Sequence, residues 1–458
     1  MAEEFEDQGG VAGMDPPSLQ RWLTSAVMRR MVRPAALAKR RARAEKARRR
    51  EGRPHRVEYF HQVDDGYSHL AAQLLRALRE TYEVEVVCHL VTEGPGKNLP
   101  EPDLLRRLSR LDAGKVAPHY GLRFPESAPA PEPAQLDIAT RILSAVEAAA
   151  FPDAAVAVGD ALWSANQDRL AALAQEWGCT EQEERDARIL EGNERRQRLG
   201  HYSGAMFHYE GEWYWGADRF YHLEARLADN GLAEDAARQP LCPRPRIEAG
   251  PLHDAGSLTL EFYPSLRSPY TSIIFDATLG LARDSGVKLV MRPVMPMVMR
   301  GVSLTRQKGV YIFSDTAREA AARGLDWGGF YDPIGEPVRN CYSLFPWARD
   351  QGRGNELLGN FLRAAFFECV NTRRESGMQS VVEAAGLNWE EARGILGNRD
   401  WEEELEANRL DMYDFGCWGV PSFRLLDADG EEALALWGQD RLWLFAREIQ
   451  RLLGERRD

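Results

Sequence analysis

The chain has 458 residues, 44% of them hydrophobic, which is enough for two ordinary globular cores, and length alone gives a prior of about two to three domains. Its net charge is −12, yet Arg21 to Arg56 holds 14 Lys and Arg against Glu45 and Glu51, so that segment carries +12 and the remainder −24. No run approaches the roughly 20 apolar residues that span a bilayer, and Met1 to Pro17 is acidic and Gly-rich, so neither a transmembrane helix nor a secretory signal is expected and a cytoplasmic protein is predicted, with peripheral membrane attachment as a variant.

In chain order, residues 1–18 read as disordered and 19–51 as a basic amphipathic helix interrupted near Pro34, whose front part carries Trp22, Leu23, Val27, Met28, Met31 and Val32. Such a helix either packs on the acidic body or attaches shallowly to an anionic membrane surface; no specific nucleic acid is expected. A first domain is predicted over 54–231, with a Pro/Ala-rich loop at Ser127 to Pro133. A Pro-rich linker, 232–256, leads to a second domain over 257–458. There Asp315 to Arg323, Asn355 to Arg374, Met378 to Ala385 and Trp389 to Leu396 show helical spacing, so a helical subdomain interrupts a strand-and-helix frame.

The two domains read as copies. Trp215-Gly216-Ala217-Asp218-Arg219 recurs as Trp437-Gly438-Gln439-Asp440-Arg441, and the strand patterns that lead to Tyr67 and Tyr270 also correspond. Each copy predicts strand, helix, strand, a long helical middle, then two hairpin strands and a closing helix.

Six scattered cysteines, with no Cys-x-x-Cys, argue against a dithiol centre and a zinc site. All nine histidines lie between His55 and His253, so a Ser-His-Asp triad within the second copy is excluded, and no metal is expected. What remains there is Ser268-Pro269, a helix start with the hydroxyl as cap and proline as first residue. The same helix N-terminus stabilises an anion such as a thiolate. Val420-Pro421 is an X-Pro bond before a strand, either an ordinary loop proline or a cis proline that exposes backbone for a peptide-like ligand. Asp440 opens the last helix, where a carboxylate is either an electrostatic accessory or a receptor for an ammonium group.

Ser268-Pro269-Tyr270, Arg292-Pro293, Lys308-Gly309-Val310-Tyr311, Gly419-Val420-Pro421-Ser422-Phe423 and Trp437 to Arg441, in this order, resemble the 2-hydroxychromene-2-carboxylate isomerase and kappa-class glutathione transferase group of the DsbA-like thioredoxin superfamily. The resemblance implies an α/β protein of two tandem thioredoxin-like domains, each with an inserted helical subdomain, behind an N-terminal basic helix. It also implies glutathione as cofactor, with Ser268 bonded to its sulfur, Val420 and Pro421 along its cysteinyl unit, Lys308 at a carboxylate, and Gln439 and Asp440 at the γ-glutamyl end. A small aromatic or electrophilic substrate would then meet Tyr270 and Trp327. Thiol-disulfide oxidoreduction, with Cys417 as the nearest thiol, and a non-catalytic scaffold held at a membrane surface are the alternatives.

The first copy departs from this pattern. Asp65-Gly66 stands where Ser-Pro would, and Ala205 stands for the proline, so a trans bond and a non-binding partner domain are expected, the two copies pairing as an intramolecular pseudo-dimer.

Overall fold

A computed structural model of the chain describes residues 15–94, 99–233, 235, 239–302 and 304–455. The disorder expected of residues 1–14 concerns positions outside that set, and Ser18 already begins a helix. The chain forms two compact units, one of residues 38–245 and one joining 1–37 to 246–458. The basic segment forms two helices, α1 (Ser18–Val32) and α2 (Pro34–Arg50), and the division between the units falls within α2, after Leu37. Pro34 disfavours helical backbone at Arg33, which adopts φ −58° and ψ 133° and separates them.

α1 runs against its hydropathy. Arg21 and Ser25 form its buried face, and Arg21 Nη1 donates to the carbonyls of Asp332 at 2.7 Å and Ile334 at 2.6 Å. Ser25 Oγ accepts the Asp332 amide at 3.0 Å. Burial lowers the Arg21 pKa, and Asp332 and Asp15 partly offset this. The apolar Trp22, Leu23 and Val27 face solvent instead. α2 meets acidic partners in the first unit, with Arg41 bidentate to Glu212 at 2.7 and 2.9 Å.

In residues 38–245, β1 (Arg56–Gln62) is followed by α3 (Gly66–Ala72), α4 (Leu75–Thr81) and β2 (Glu85–Val91). Five helices follow: α5 (Pro102–Val116), α6 (Pro133–Ala145), α7 (Phe151–Trp163), α8 (Gln167–Trp177) and α9 (Gln182–Leu199). The chain then returns through the hairpin β3 (Met206–Tyr209) and β4 (Glu212–Trp215), and α10 (Phe220–Asp229) closes it. The sheet order is β2-β1-β3-β4, with β1 parallel to β2 and antiparallel to β3. From Val57 onward every residue of β1 is buried, as a central strand covered on both faces must be.

In the second unit β5 (Thr259–Tyr263), α11 (Pro269–Ser285) and β6 (Lys288–Met291) precede a helical insertion. The insertion holds α12 (Arg306–Ala322), α13 (Glu336–Asp350), α14 (Gly354–Phe366), α15 (Glu375–Ala384), α16 (Trp389–Ile395) and α17 (Glu402–Asp414). β7 (Ser422–Leu426), β8 (Glu432–Trp437) and α18 (Leu442–Glu455) complete the unit, and the sheet order is β6-β5-β7-β8 with the same pattern of parallel and antiparallel neighbours. Phe262 and Phe423 face each other across β5 and β7, their rings stacked with centroids 5.0 Å apart, and fix which strand faces meet the helices.

Both central strands bury a glutamate at the same register. Glu58 lies opposite His208 on β3, and Glu261 opposite Arg424 on β7. Burial would raise the Glu58 carboxyl, but hydrogen bonds from Arg195 and His89 outweigh it and hold the group at about 2. Glu261 is held by Arg292 at 2.8 Å and Arg424 at 2.6 Å.

Candidate functional site

β5 ends in a short turn that delivers Ser268 to the start of α11. Ser268 has extended backbone, φ −92° and ψ 117°, and its Oγ accepts the Thr271 amide at 3.2 Å, the capping bond that a serine before proline is suited to make. The same hydroxyl donates to the Val420 carbonyl at 3.3 Å. Ser268 is 8% exposed. Val420–Pro421 is cis, and no other cis bond occurs among the described residues, so Gly204–Ala205 is trans, with Ala205 at φ 54°. The carbonyl of Pro421 accepts the Gly438 amide at 2.9 Å, and Ala205 accepts Gly216 in the same way at 2.8 Å.

Tyr270 and Trp327 both meet the first turns of α11. The Tyr270 hydroxyl donates to buried Asp315 on α12 at 2.8 Å, and Asp315 also takes Arg318 at 3.0 Å. Trp327 donates its Nε1 to Ser272 Oγ at 2.9 Å, and its ring packs against Phe313 and Phe366. Lys308 lies in the first turn of α12, and burial lowers its ammonium pKa to about 8. Gln439 is at the other end of that helix: its Nε2 donates to Glu319 at 3.1 Å and its Oε1 accepts from Arg323 at 2.7 Å. Lys308 and Glu319 are about 16 Å apart along the axis, so Lys308 and Gln439 meet opposite ends of α12.

Asp440 follows Gly438, whose φ is 116° and where an added Cβ would stand 2.5 Å from Asp440 Oδ1. Only glycine lets that carboxylate fold back over the turn. Cys417 is fully buried. Sequence reasoning singled out Ser268, Val420, Pro421, Tyr270, Trp327, Lys308, Gln439 and Asp440 as candidates, and it did not foresee the partners of Tyr270, Trp327 and Gln439: Asp315, Ser272, Glu319 and Arg323. Arg267, which pairs with Asp332 at 2.9 Å just before Ser268, was missed too. These are ordinary polar positions on helices, and no local spacing marks them.

Among the described residues no group of three or more His, Cys, Asp or Glu could hold a metal ion, and no helix is long and apolar enough to cross a membrane.

The strand order and the cis-proline loop agree with a match in sequence. Residues 259–450 match the DSBA-like thioredoxin domain family. The domain runs from β5 into α18 and contains every site residue named above. No curated protein matches the chain. Among solved structures, a probable DsbA oxidoreductase from Streptomyces coelicolor is 23% identical, covering 43% of this chain and 91% of its own, with a TM-score of 0.35. A 2-hydroxychromene-2-carboxylate isomerase is 19% identical, covering 44% and 98%, with a TM-score of 0.37. The cytosolic disulfide reductase DsbM of Pseudomonas aeruginosa is 19% identical, covering 43% and 98%, with a TM-score of 0.28.

Proposed function

We propose that the DsbA-like domain binds glutathione at the start of α11 and acts as a glutathione-dependent isomerase or transferase of the 2-hydroxychromene-2-carboxylate isomerase kind. The observation that carries this reading is the hydroxyl of Ser268, which bridges the α11 N-terminus and the Val420 carbonyl. A hydroxyl has one proton and two lone pairs, so it can keep the Thr271 amide on one lone pair while turning its proton from the carbonyl to a sulfur anion. The dipole of the 17-residue α11 favours negative charge at the same point.

The chain's other groups fit the remaining parts of the tripeptide. An anion beside Lys308 restores the charged form that burial disfavours, which suits a carboxylate. Val420 offers backbone to the cysteinyl unit. Asp440 takes the α-ammonium, and Gln439 is the positioning residue that fixes the loop to α12. Tyr270 and Trp327, tied down by hydrogen bonds to Asp315 and Ser272, present their rings to the substrate. Bound glutathione supplies a thiolate nucleophile, which either adds reversibly to a conjugated carbonyl compound or displaces a leaving group.

A buried Cys417 makes thiol-disulfide exchange the weaker reading. We infer further that the two halves descend from one duplicated unit, a reading supported by the matched Glu58 and Glu261 and by the paired Gly216 and Gly438 hydrogen bonds. In that reading the N-terminal half is non-binding, since Asp65 replaces the hydroxyl and sets a carboxylate where the thiolate would lie.

Calorimetric titration of the full chain with glutathione tests the proposal. Saturable binding that weakens at least about tenfold in Ser268→Ala and in Asp440→Ala is expected; absence of heat in the wild type overturns it.

A further inference from the structure

α1 shows the reverse of the usual amphipathic arrangement. Its polar side chains Arg21 and Ser25 are buried and hydrogen-bonded to the 330–334 segment, which fixes the rotation of the helix about its axis. The opposite face is left with Leu19, Trp22, Leu23 and Val27, which are 69%, 51%, 49% and 65% exposed. These positions fall at i, i+3, i+4 and i+8, a continuous apolar stripe. Arg30 lies on the same side one turn beyond Val27, and Arg33 caps the helix; both are exposed. Within α1's own unit, residues 16–37 hold four arginines and no acidic residue, although the chain as a whole carries −12. Charge of one sign is therefore concentrated where the apolar face lies.

We propose that the outer face of α1 docks this protein on an anionic lipid bilayer. Trp22, Leu23 and Val27 enter the headgroup boundary, where an indole suits both the apolar and the wet side, while Arg30 and Arg33 meet lipid phosphates. Because Arg21 and Ser25 hold the helix from below, docking requires no release of α1 from its own unit. Exposed apolar side chains beside unbalanced positive charge suit an anionic lipid surface.

Flotation of the full-length protein with vesicles of equal parts phosphatidylcholine and phosphatidylglycerol tests the proposal. The wild type is expected to float with these vesicles and not with pure phosphatidylcholine, and to be released by salt. Trp22→Ser/Leu23→Ser/Val27→Ser, confined to exposed positions, is expected to lower the floated fraction about tenfold. Arg30→Glu/Arg33→Glu is expected to abolish it. Brominated lipid should quench the wild-type tryptophan fluorescence, and Trp22→Phe should remove that quenching while still floating. A wild type that stays in the dense fraction, or a triple variant that floats unchanged, overturns the proposal. So does sedimentation in which the wild type dimerises without lipid and the triple variant is monomeric, because the stripe is then a self-association face.

Discussion

On the proposed reading, Ser268 combines two duties that substitutions can separate: the observed cap and a donor for the glutathione sulfur. Ser268→Ala removes the cap of α11, which costs about 1 kcal/mol in a denaturant melt, and removes the donor for sulfur as well. Ser268→Asp keeps an oxygen for the Thr271 amide but sets a carboxylate beside the thiolate. We therefore expect Ser268→Asp to retain stability within about 1 kcal/mol of wild type and to lose glutathione binding. Loss of stability without loss of binding would show the serine to be a cap and nothing more. The N-terminal unit already contains the corresponding natural arrangement. Asp65 caps α3 through Tyr67 and Ser68, and burial raises its carboxyl to about 6 despite those hydrogen bonds. A folded-state pKa above the unfolded value contributes stability that is complete below about pH 4 and is lost as pH rises through 6. Asp65→Asn should therefore raise the melting temperature at pH 7 and leave it unchanged below pH 4; an equal effect at both values would contradict the assignment.

At the scale of elements, the loop before β7 and the loop before α18 are fixed by close approaches rather than by hydrophobic burial. An added Cβ at Gly419 would stand 2.5 Å from Trp437 Nε1, so Gly419→Ala should displace the cis-proline loop, destabilise the fold by roughly 1–3 kcal/mol and weaken glutathione binding with it. A melting curve and a titration on the same sample check both effects. Much of this was legible in the sequence. The repeated Trp-Gly-x-Asp-Arg and the Ser-Pro start place both loops, because glycine, proline and caps impose local backbone geometry. Other parts were not. α13 was not among the predicted helical stretches, and it continues through Pro346. The face through which α1 packs was not foreseen: it packs through Arg21, because carbonyls of residues far along the chain receive the guanidinium. Periodicity cannot foresee a partner more than 300 residues distant. The buried Glu58 and Glu261 were hidden for the same reason, their counterions coming from other strands and helices.

At the scale of the whole molecule, the histidines divide the chain by acid sensitivity. His61 and His208 are buried in the N-terminal unit, and desolvation lowers them to about 3 and about 4. Their unfolded forms bind protons from about pH 6.5 downward, so this unit loses stability as pH falls from 6.5 through 4 and 3, and Glu58 extends the loss toward 2. Asp65 opposes them between 4 and 6, by fewer pKa units than the two histidines contribute together. The second unit contains no histidine beyond His253, which precedes β5. Hydrogen exchange during acid titration should therefore show β1 and β3 losing protection at a higher pH than β5 and β7; simultaneous loss would refute this division. The central claim, a glutathione thiolate sheltered by Ser268, is tested most directly by ultraviolet difference titration of glutathione bound to the full chain, with S-methylglutathione as blank. The account predicts a thiol pKa at least about one unit below that of free glutathione in the wild type, with most of the shift lost in Ser268→Ala. A bound thiol whose pKa is unshifted, or shifted equally in both proteins, would contradict it.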